Sequence, residues 1–405
     1  MTAAIKLFSI IILIVILLRL RLDLGLVMLI SSIVLGLLFQ LGFYGIINNI
    51  YLTASDPNTL ELVGIIVLVY ILSGILRRTK SMDGIISSLL NIVADYRLIL
   101  FIIASFLGLI PMPAGAMFSA PLLREIGEKN NMNTEDIMFA NYWHRHVWEF
   151  MWPLYPVVLL YSSFIEVDVR EIMILQFPFT IIALSIGFFW MYTHLDSNNN
   201  FKIDYKDWKI QIFIFFKSVW SILLVIFLVL FLKIDLLVSL SISIILLLII
   251  KRISIKEVWE IIFQDVSFKV VIMIIGIMLF KQILESTDSI TQLPQFFSTI
   301  GINIWVVLFF IPFLIGSLTG VTISAIGVSF PILMPIMTQY GSLNISMAMV
   351  VYLAGFTGMM ISPMHLCLTV TIEYLKADIV KFYKMLLIHL LILISLSALY
   401  IYLFI

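Results

Sequence analysis

Charge is scarce in this sequence. Asp, Glu, Lys and Arg make up 12% of its 405 residues, about half of the ~25% usual in soluble domains. The 24 basic and 24 acidic residues cancel, so no field of one sign exists to attract nucleic acid. Cysteine is nearly absent. Cys367 stands alone within an apolar run, which excludes an intrachain disulfide and a multi-cysteine metal site. Long polar stretches are missing too, apart from 194–208 (HLDSNNNFKIDYKDW). What fills the chain is apolar: 62% of residues are hydrophobic and the mean hydropathy is +1.15. Too few polar residues remain to cover one soluble core. A soluble enzyme, a nucleic-acid binder and a secreted disulfide scaffold are thereby excluded. The composition is that of a polytopic protein of the lipid bilayer.

A spanning helix needs about 20 apolar residues. Ten segments meet or approach this: 4–18, 24–43, 59–76, 137–163, 171–192, 209–232, 235–250, 268–284, 346–371 and 385–404. The first is short, yet no small-residue cleavage site follows it. Arg19, Arg21 and Asp23 do, and then a second span, so it does not read as a signal peptide. Two further stretches are too short to cross. Leu98–Ile110 is broken by Pro111-Met-Pro113-Ala-Gly115 and resumes to Leu123. Ile304–Ile315 is broken by Gly316-Ser-Leu-Thr-Gly320 and resumes through Ser329-Phe-Pro331 to about Met337. Each pair reads as a re-entrant helical hairpin, 98–123 and 303–338. Its broken backbone must be buried in protein or face a watery cavity.

The basic residues arbitrate between hairpins and kinked spans, because cytoplasmic loops are enriched in Lys and Arg. With an extracytoplasmic N-terminus and two hairpins, 17 basic loop residues fall inside, against Arg170 and Lys233 outside. The C-terminus is then extracytoplasmic as well. No Lys or Arg occurs between Lys281 and Lys376, which suits a second hairpin entering from outside. The chain divides into a first unit, 1–193, with its broken helix at 137–163, and a second, 209–405, with its broken helix at 346–371. Residues 194–208 form a cytoplasmic linker. The two units run span, span, span, hairpin, broken span, span, in inverted orientation. An offset of 210 pairs Pro121 with Pro331, Leu123 with Leu333, Tyr142 with Tyr352 and Pro153 with Pro363. Inverted repeats with interrupted segments at matching places point to a secondary transporter whose site lies near the midplane.

The runs GLIPMPAGAMFSAPLL (108–123) and NYWHRHVWEFMWPLYP (141–156) resemble those of a prokaryotic membrane family, domain of unknown function 401. That family is grouped with the ion-transporter superfamily of dicarboxylate, citrate, gluconate and arsenite carriers and sodium/proton antiporters. The resemblance covers nearly the whole chain. It implies two inverted repeats, each with a re-entrant hairpin and a broken helix. The dicarboxylate branch carries Ser-Asn-Thr at each hairpin tip. Here the tips are Pro-Ala-Gly and Ser-Leu-Thr-Gly, which argues against a dicarboxylate substrate.

The candidate chemistry lies at the breaks. Asn141, His144, Arg145, His146 and Glu149 sit within the first broken span, where charge is costly and faces a cavity or a partner. Glu149 and a histidine suit proton transfer, and Arg145 suits an anion. The bland alternative is that Arg145 and Glu149, i and i+4 on a helix, neutralise each other. His-x-His-x-x-Glu lacks a third clear ligand for a metal, so no metal is assigned. Pro153 and Pro156 free the carbonyls of Glu149 and Trp152, and Pro363 frees that of Met359. Such carbonyls suit Na+ or a proton-carrying water. The first hairpin tip contributes Pro113, Gly115 and Ser119. The second contributes Ser317, Thr319, Gly320, Thr322 and Ser324. The second broken span adds Thr357, Gly358 and Ser362, with His365 a weaker candidate. Small residues permit close backbone approach, and half-helix starts attract anions; Ser and Thr also serve as glue between membrane helices. The amphipathic stretches 81–96 and 253–266 read as interfacial connectors.

The sequence therefore describes an all-α, multi-pass membrane carrier moving a small anion or polar metabolite, coupled to Na+ or H+. An ion antiporter of the same fold is second, and a passive channel or scaffold third. No catalytic residue or cofactor is assigned: His-Glu-x-x-His, paired intramembrane aspartates and Gly-x-Ser-x-Gly are all missing. A homodimer is an assembly open to such a carrier.

Overall fold

The computed structural model describes residues 3–20, 22–93, 95–110, 115–196, 207–287, 301–339 and 342–405. Among these the chain is all-α apart from one antiparallel pair, Thr338–Gln339 with Ser342–Leu343. In chain order the helices are α1 (Ala3–Arg19), α2 (Leu24–Leu38), α3 (Gly42–Ser55), α4 (Pro57–Arg78), α5 (Ser81–Ile92), α6 (Tyr96–Gly108), α7 (Ala116–Lys129) and α8 (Thr134–His146). A 3-10 turn, Val147–Phe150, leads to α9 (Pro156–Ile165) and α10 (Val169–His194). Then follow α11 (Trp208–Leu230), α12 (Leu236–Lys251), α13 (Ile255–Asp265), α14 (Phe268–Glu285), α15 (Ile304–Thr319), α16 (Thr322–Met337), α17 (Ile345–Met360), α18 (Leu366–Leu375) and α19 (Ile379–Phe404).

Four of these, α4, α10, α11 and α19, are each long and apolar enough to cross a bilayer, and α13 with α14 form a bent pair that qualifies together. Several long apolar helices make the chain compatible with a multi-pass membrane protein. Other expected spans are interrupted. The stretch 24–43 is helical only to Leu38; Gln40 and Gly42 then take positive φ values of 60° and 67°, and α3 restarts in a new direction.

Local sequence sets the helix starts. Asp56 accepts the N–H groups of Asn58 and Thr59 ahead of Pro57, a residue suited to the first helical position. Asp95, Asp168, Asp235, Asn303, Asn344 and Asp378 cap α6, α10, α12, α15, α17 and α19 in the same manner. Ser254 and Glu257 form a capping box at α13. The amphipathic reading of 253–266 matches α13. One face binds the end of α4 through Arg77–Asp265 and through Arg78–Glu260 at 3.0 Å. The other exposes Ile255, Trp259 and Phe263, four residues apart on one stripe.

Helices also recur at a spacing of 210. α9 (156–165) matches α18 (366–375), and α10 (169–194) matches α19 (379–404), residue for residue. The left-handed residues Glu166 and Lys376, and the capping residues Asp168 and Asp378, obey the same offset. Packing is reciprocal across the two halves. α12 and α13 lie on α4, while α2 and α3 lie on α14. α16 lies on α9, while α18 lies on α7. Tyr142 donates its hydroxyl to the Met360 carbonyl at 3.0 Å, and Tyr352 donates to the Glu149 carbonyl.

Both short-armed hairpins are present as helix pairs: α6 packs on α7, and α15 on α16. The second pair turns at Gly320, whose φ is 69°, a backbone state that glycine adopts without penalty. The tip of the first, 111–114, including Pro113, lies outside the described residues.

Candidate functional site

Prolines lie in each helix break and exclude the backbone bonds that would carry a helix across it. α8 ends at His146, tightens into the 3-10 turn and reaches Pro153 and Pro156 before α9 begins. α17 ends at Met360, ahead of Pro363, and α18 begins at Leu366. The two breaks meet. His146 Nε2 lies 2.9 Å from His365 Nε2. The second hairpin tip joins them: Thr322 Oγ1 donates to Glu149 Oε2 at 2.8 Å. An added Cβ on Gly320 would lie 2.6 Å from the His365 backbone nitrogen, so only glycine lets the tip come this close.

A cavity of about 420 Å3 opens at this meeting point, with Arg145, His146, Glu149, Gly320, Thr322, Ser324, His365 and Cys367 on its walls. The starts of three helices face it: Tyr155–Val157 of α9, Val321–Ser324 of α16, and His365–Cys367 of α18. Helix N-termini carry partial positive charge and unpaired N–H groups, so they favour anions. Asp23 and Lys269, 3.1 Å apart and exposed, also line the cavity.

Arg145 is the most consequential wall residue. It is only 4% exposed, and its Nη1 has no hydrogen-bond partner among the described residues. The Arg145–Glu149 ion pair, the bland alternative for these two residues, is not formed among the described residues. The helix gives way to the 3-10 turn after His146, so the i,i+4 geometry that would have paired them is lost. Glu149 turns instead to Thr322 and to His146 Nε2, 3.9 Å from its Oε1.

Other expected residues lie elsewhere. His144 points into the scaffold: its Nδ1 bonds the Ala140 carbonyl at 2.8 Å, and its ring stacks edge-on to Phe101 and leaves no room for a Cβ on Gly187. Ser119 donates to Asn141 Oδ1 at 2.6 Å, and Asn141 reaches Thr371 at 3.5 Å, a buried polar chain that ties α7, α8 and α18 together. Gly115 precedes α7 and is buried. Ser317, Thr319 and Thr357 bond back to carbonyls four residues earlier on their own helices. Ser362 donates to the Ser317 carbonyl at 2.6 Å. Gly358 lets α17 touch α15, where any Cβ would collide with the Phe313 carbonyl. These residues are packing and glue rather than cavity wall.

The freed carbonyls are also spoken for. That of Glu149 accepts the Tyr352 hydroxyl, that of Trp152 the Tyr155 N–H at 3.0 Å, and that of Met359 the Ser362 N–H at 3.0 Å. Their availability to a sodium ion is correspondingly reduced. Sequence reasoning missed Tyr155 and Cys367 and underweighted His365. The position of His365, two residues after the second helix-breaking proline, was the available signal. A second, polar cavity of about 520 Å3 lies among loops around Glu61, Glu166, Arg170 and Asp235 and holds none of the expected site residues.

An all-α chain of membrane composition, with two interrupted helices meeting at one largely apolar cavity that carries a few ionisable side chains, is the class of protein that fold and site define. The chain belongs to the family described as protein of unknown function (DUF401), whose profile matches residues 1–405. No curated protein matches it.

Proposed function

We propose that the chain is a multi-pass secondary active transporter of the cell membrane, of the inverted-repeat ion-transporter type, carrying a small anion and coupled to H+ or Na+. The observation that carries this reading is Arg145. It is a buried guanidinium with an unpartnered nitrogen, on the wall of a cavity toward which three helix starts point. An unpaired buried charge is costly, and an anionic substrate would satisfy guanidinium and helix termini together.

The 210-residue register of caps, left-handed residues and helix bounds supports two repeats, and the reciprocal packing supports their inverted arrangement. Broken helices meeting at the repeat interface are where carriers bind substrate and coupling ion. The inside-positive distribution of Lys and Arg puts Asp23 and Lys269 on the cytoplasmic side. The cavity they line is then inward-facing, and both termini are extracytoplasmic. Glu149 is the coupling group of this reading, held by Thr322 from the opposite half.

The test is a thermal-shift screen of purified protein against organic acids and oxyanions, with and without sodium, followed by uptake of the stabilising anion into proteoliposomes. Saturable, gradient-driven uptake with counterflow is expected. Arg145→Ala should weaken the anion by roughly tenfold to a hundredfold, the worth of a hydrogen bond to a charged group. Flux insensitive to gradients would overturn the carrier in favour of a channel. Cation exchange with no anion dependence would favour the antiporter.

A further inference from the structure

The two facing imidazoles pose a chemical problem. His146 Nδ1 lies 2.6 Å from the Tyr142 carbonyl, and His365 Nδ1 lies 2.5 Å from the Gly320 carbonyl. A carbonyl oxygen only accepts, so each Nδ1 carries the hydrogen. In the neutral ring the other nitrogen is then a bare lone pair. Two such lone pairs face each other at 2.9 Å, which is repulsive unless something positive lies between them. Two more donors converge there. The Cys367 sulfur and one ring nitrogen of each histidine lie within 4.8 Å of one another, and Glu149 Oε1 is 3.9 Å from His146 Nε2.

We propose that His146, His365 and Cys367, with Glu149 as fourth donor, bind one thiophilic transition-metal ion of the Zn2+ type. A single proton would occupy only two of these donors. A metal ion uses all four. Zinc binds Cys sulfur, His nitrogen and carboxylate oxygen in tetrahedral sites with bonds of about 2.0–2.3 Å, which sets the donors roughly 3.3–3.8 Å apart. The two imidazoles need to open by only about half an ångström to reach that spacing. Binding releases the thiol proton to solvent, and the thiolate and carboxylate then balance the two positive charges of the ion. The loaded site is neutral, one unit more positive than the empty site with its ionised carboxylate, in a cavity that helix termini bias toward anions. The surrounding bonds are those that hold a metal site in place. Both Nδ1–H groups are anchored to carbonyls, which fixes tautomer and ring orientation, and Thr322 orients Glu149. The donors come from both halves of the chain, at the two helix breaks, so the ion would bridge them. This inference does not depend on the transport reading, because it is tested by binding alone; while the ion is bound, Glu149 is a ligand and carries no coupling proton.

Cys367 is the single cysteine, so thiol chemistry on the full-length wild-type chain reports on this site without any substitution. The purified, reduced and chelator-stripped protein is exposed to a maleimide with and without Zn2+. Zinc should slow alkylation by roughly tenfold or more, and chelator should restore the rate. Titration with Co2+ should give one equivalent with tetrahedral visible bands and a thiolate-to-cobalt charge-transfer band. His146→Ala and His365→Ala should each abolish both effects. Thr322→Val, which keeps the shape of the side chain but loses its hydroxyl, should weaken binding by about 10–100-fold. Alkylation unaffected by Zn2+, and no charge-transfer band with Co2+, in protein that elutes as one folded species, would overturn the metal site. A proton shared between the imidazoles would then be what separates the lone pairs.

Discussion

Glu149 shows how far one residue can be read from sequence. Its chemistry, a carboxylate among basic neighbours within an apolar span, was legible, and the cavity wall is where it lies. Its partner was not. The i,i+4 spacing to Arg145 presupposes a regular helix, and the 3-10 turn after His146 removes that premise. Thr322, the residue that does bind it, is 173 positions away, and no local pattern signals such a contact. If Glu149 carries the coupling proton, Glu149→Gln removes the charge and keeps the shape. Gradient-driven uptake should collapse while exchange at equal concentrations survives, as measured by isotope exchange in proteoliposomes. Gly320 makes a separate prediction. Gly320→Ala forces an alanine into a left-handed backbone, at about 1–2 kcal/mol, and presses a methyl group against the His365 backbone. Lower thermal stability in detergent should accompany altered reactivity of the nearby thiol.

At the scale of elements, the breaks and short arms were the readable features. Proline and glycine interrupt apolar runs too short to cross, and among the described residues the helices stop or pair at those places. The hydroxyl residues around the breaks were harder to assign. A Ser or Thr four residues after a carbonyl can bond back to its own helix, and Ser317, Thr319 and Thr357 do. Sequence does not distinguish that state from a ligand-facing one. The elements are locked across the halves by Tyr142 and Tyr352, whose hydroxyls cross to opposite broken helices. Tyr352→Phe leaves a buried carbonyl of the 3-10 turn unpaired, at about 1–3 kcal/mol. Tyr142→Phe should cost a similar amount. Melting of the two variants would check this, and indifference to both would remove the tyrosines from the interlock.

For the whole molecule, the register of 210 was visible in scattered identities such as Tyr142 with Tyr352, and the helix bounds repeat it more fully than those identities do. Caps and left-handed residues mark where the backbone turns, so they show the register at positions where most side chains differ. The proposed inverted orientation of the two halves rests on the distribution of Lys and Arg, and it carries its own prediction. Single cysteines introduced at Arg97 and Lys129, one at the start of α6 and one at the end of α7, in a Cys367→Ser background, should both be shielded from an impermeant reagent in intact cells. Strong labelling of one alone would mean that 98–123 crosses the membrane and that the halves are not inverted.

The reciprocal packing also has a consequence in time. A ribosome delivers this chain from one end at about 5–20 residues per second. Glu149 emerges 173 residues before Thr322, which is a delay of roughly 10–35 seconds. α4 likewise enters the bilayer long before α12 and α13 exist to cover it. During that interval the first half presents polar residues and uncovered helix faces to lipid and to whatever insertion machinery is at hand. The molecule cannot be finished piecemeal, so a nascent chain arrested in its second half would be a substrate for quality control rather than a partly working protein.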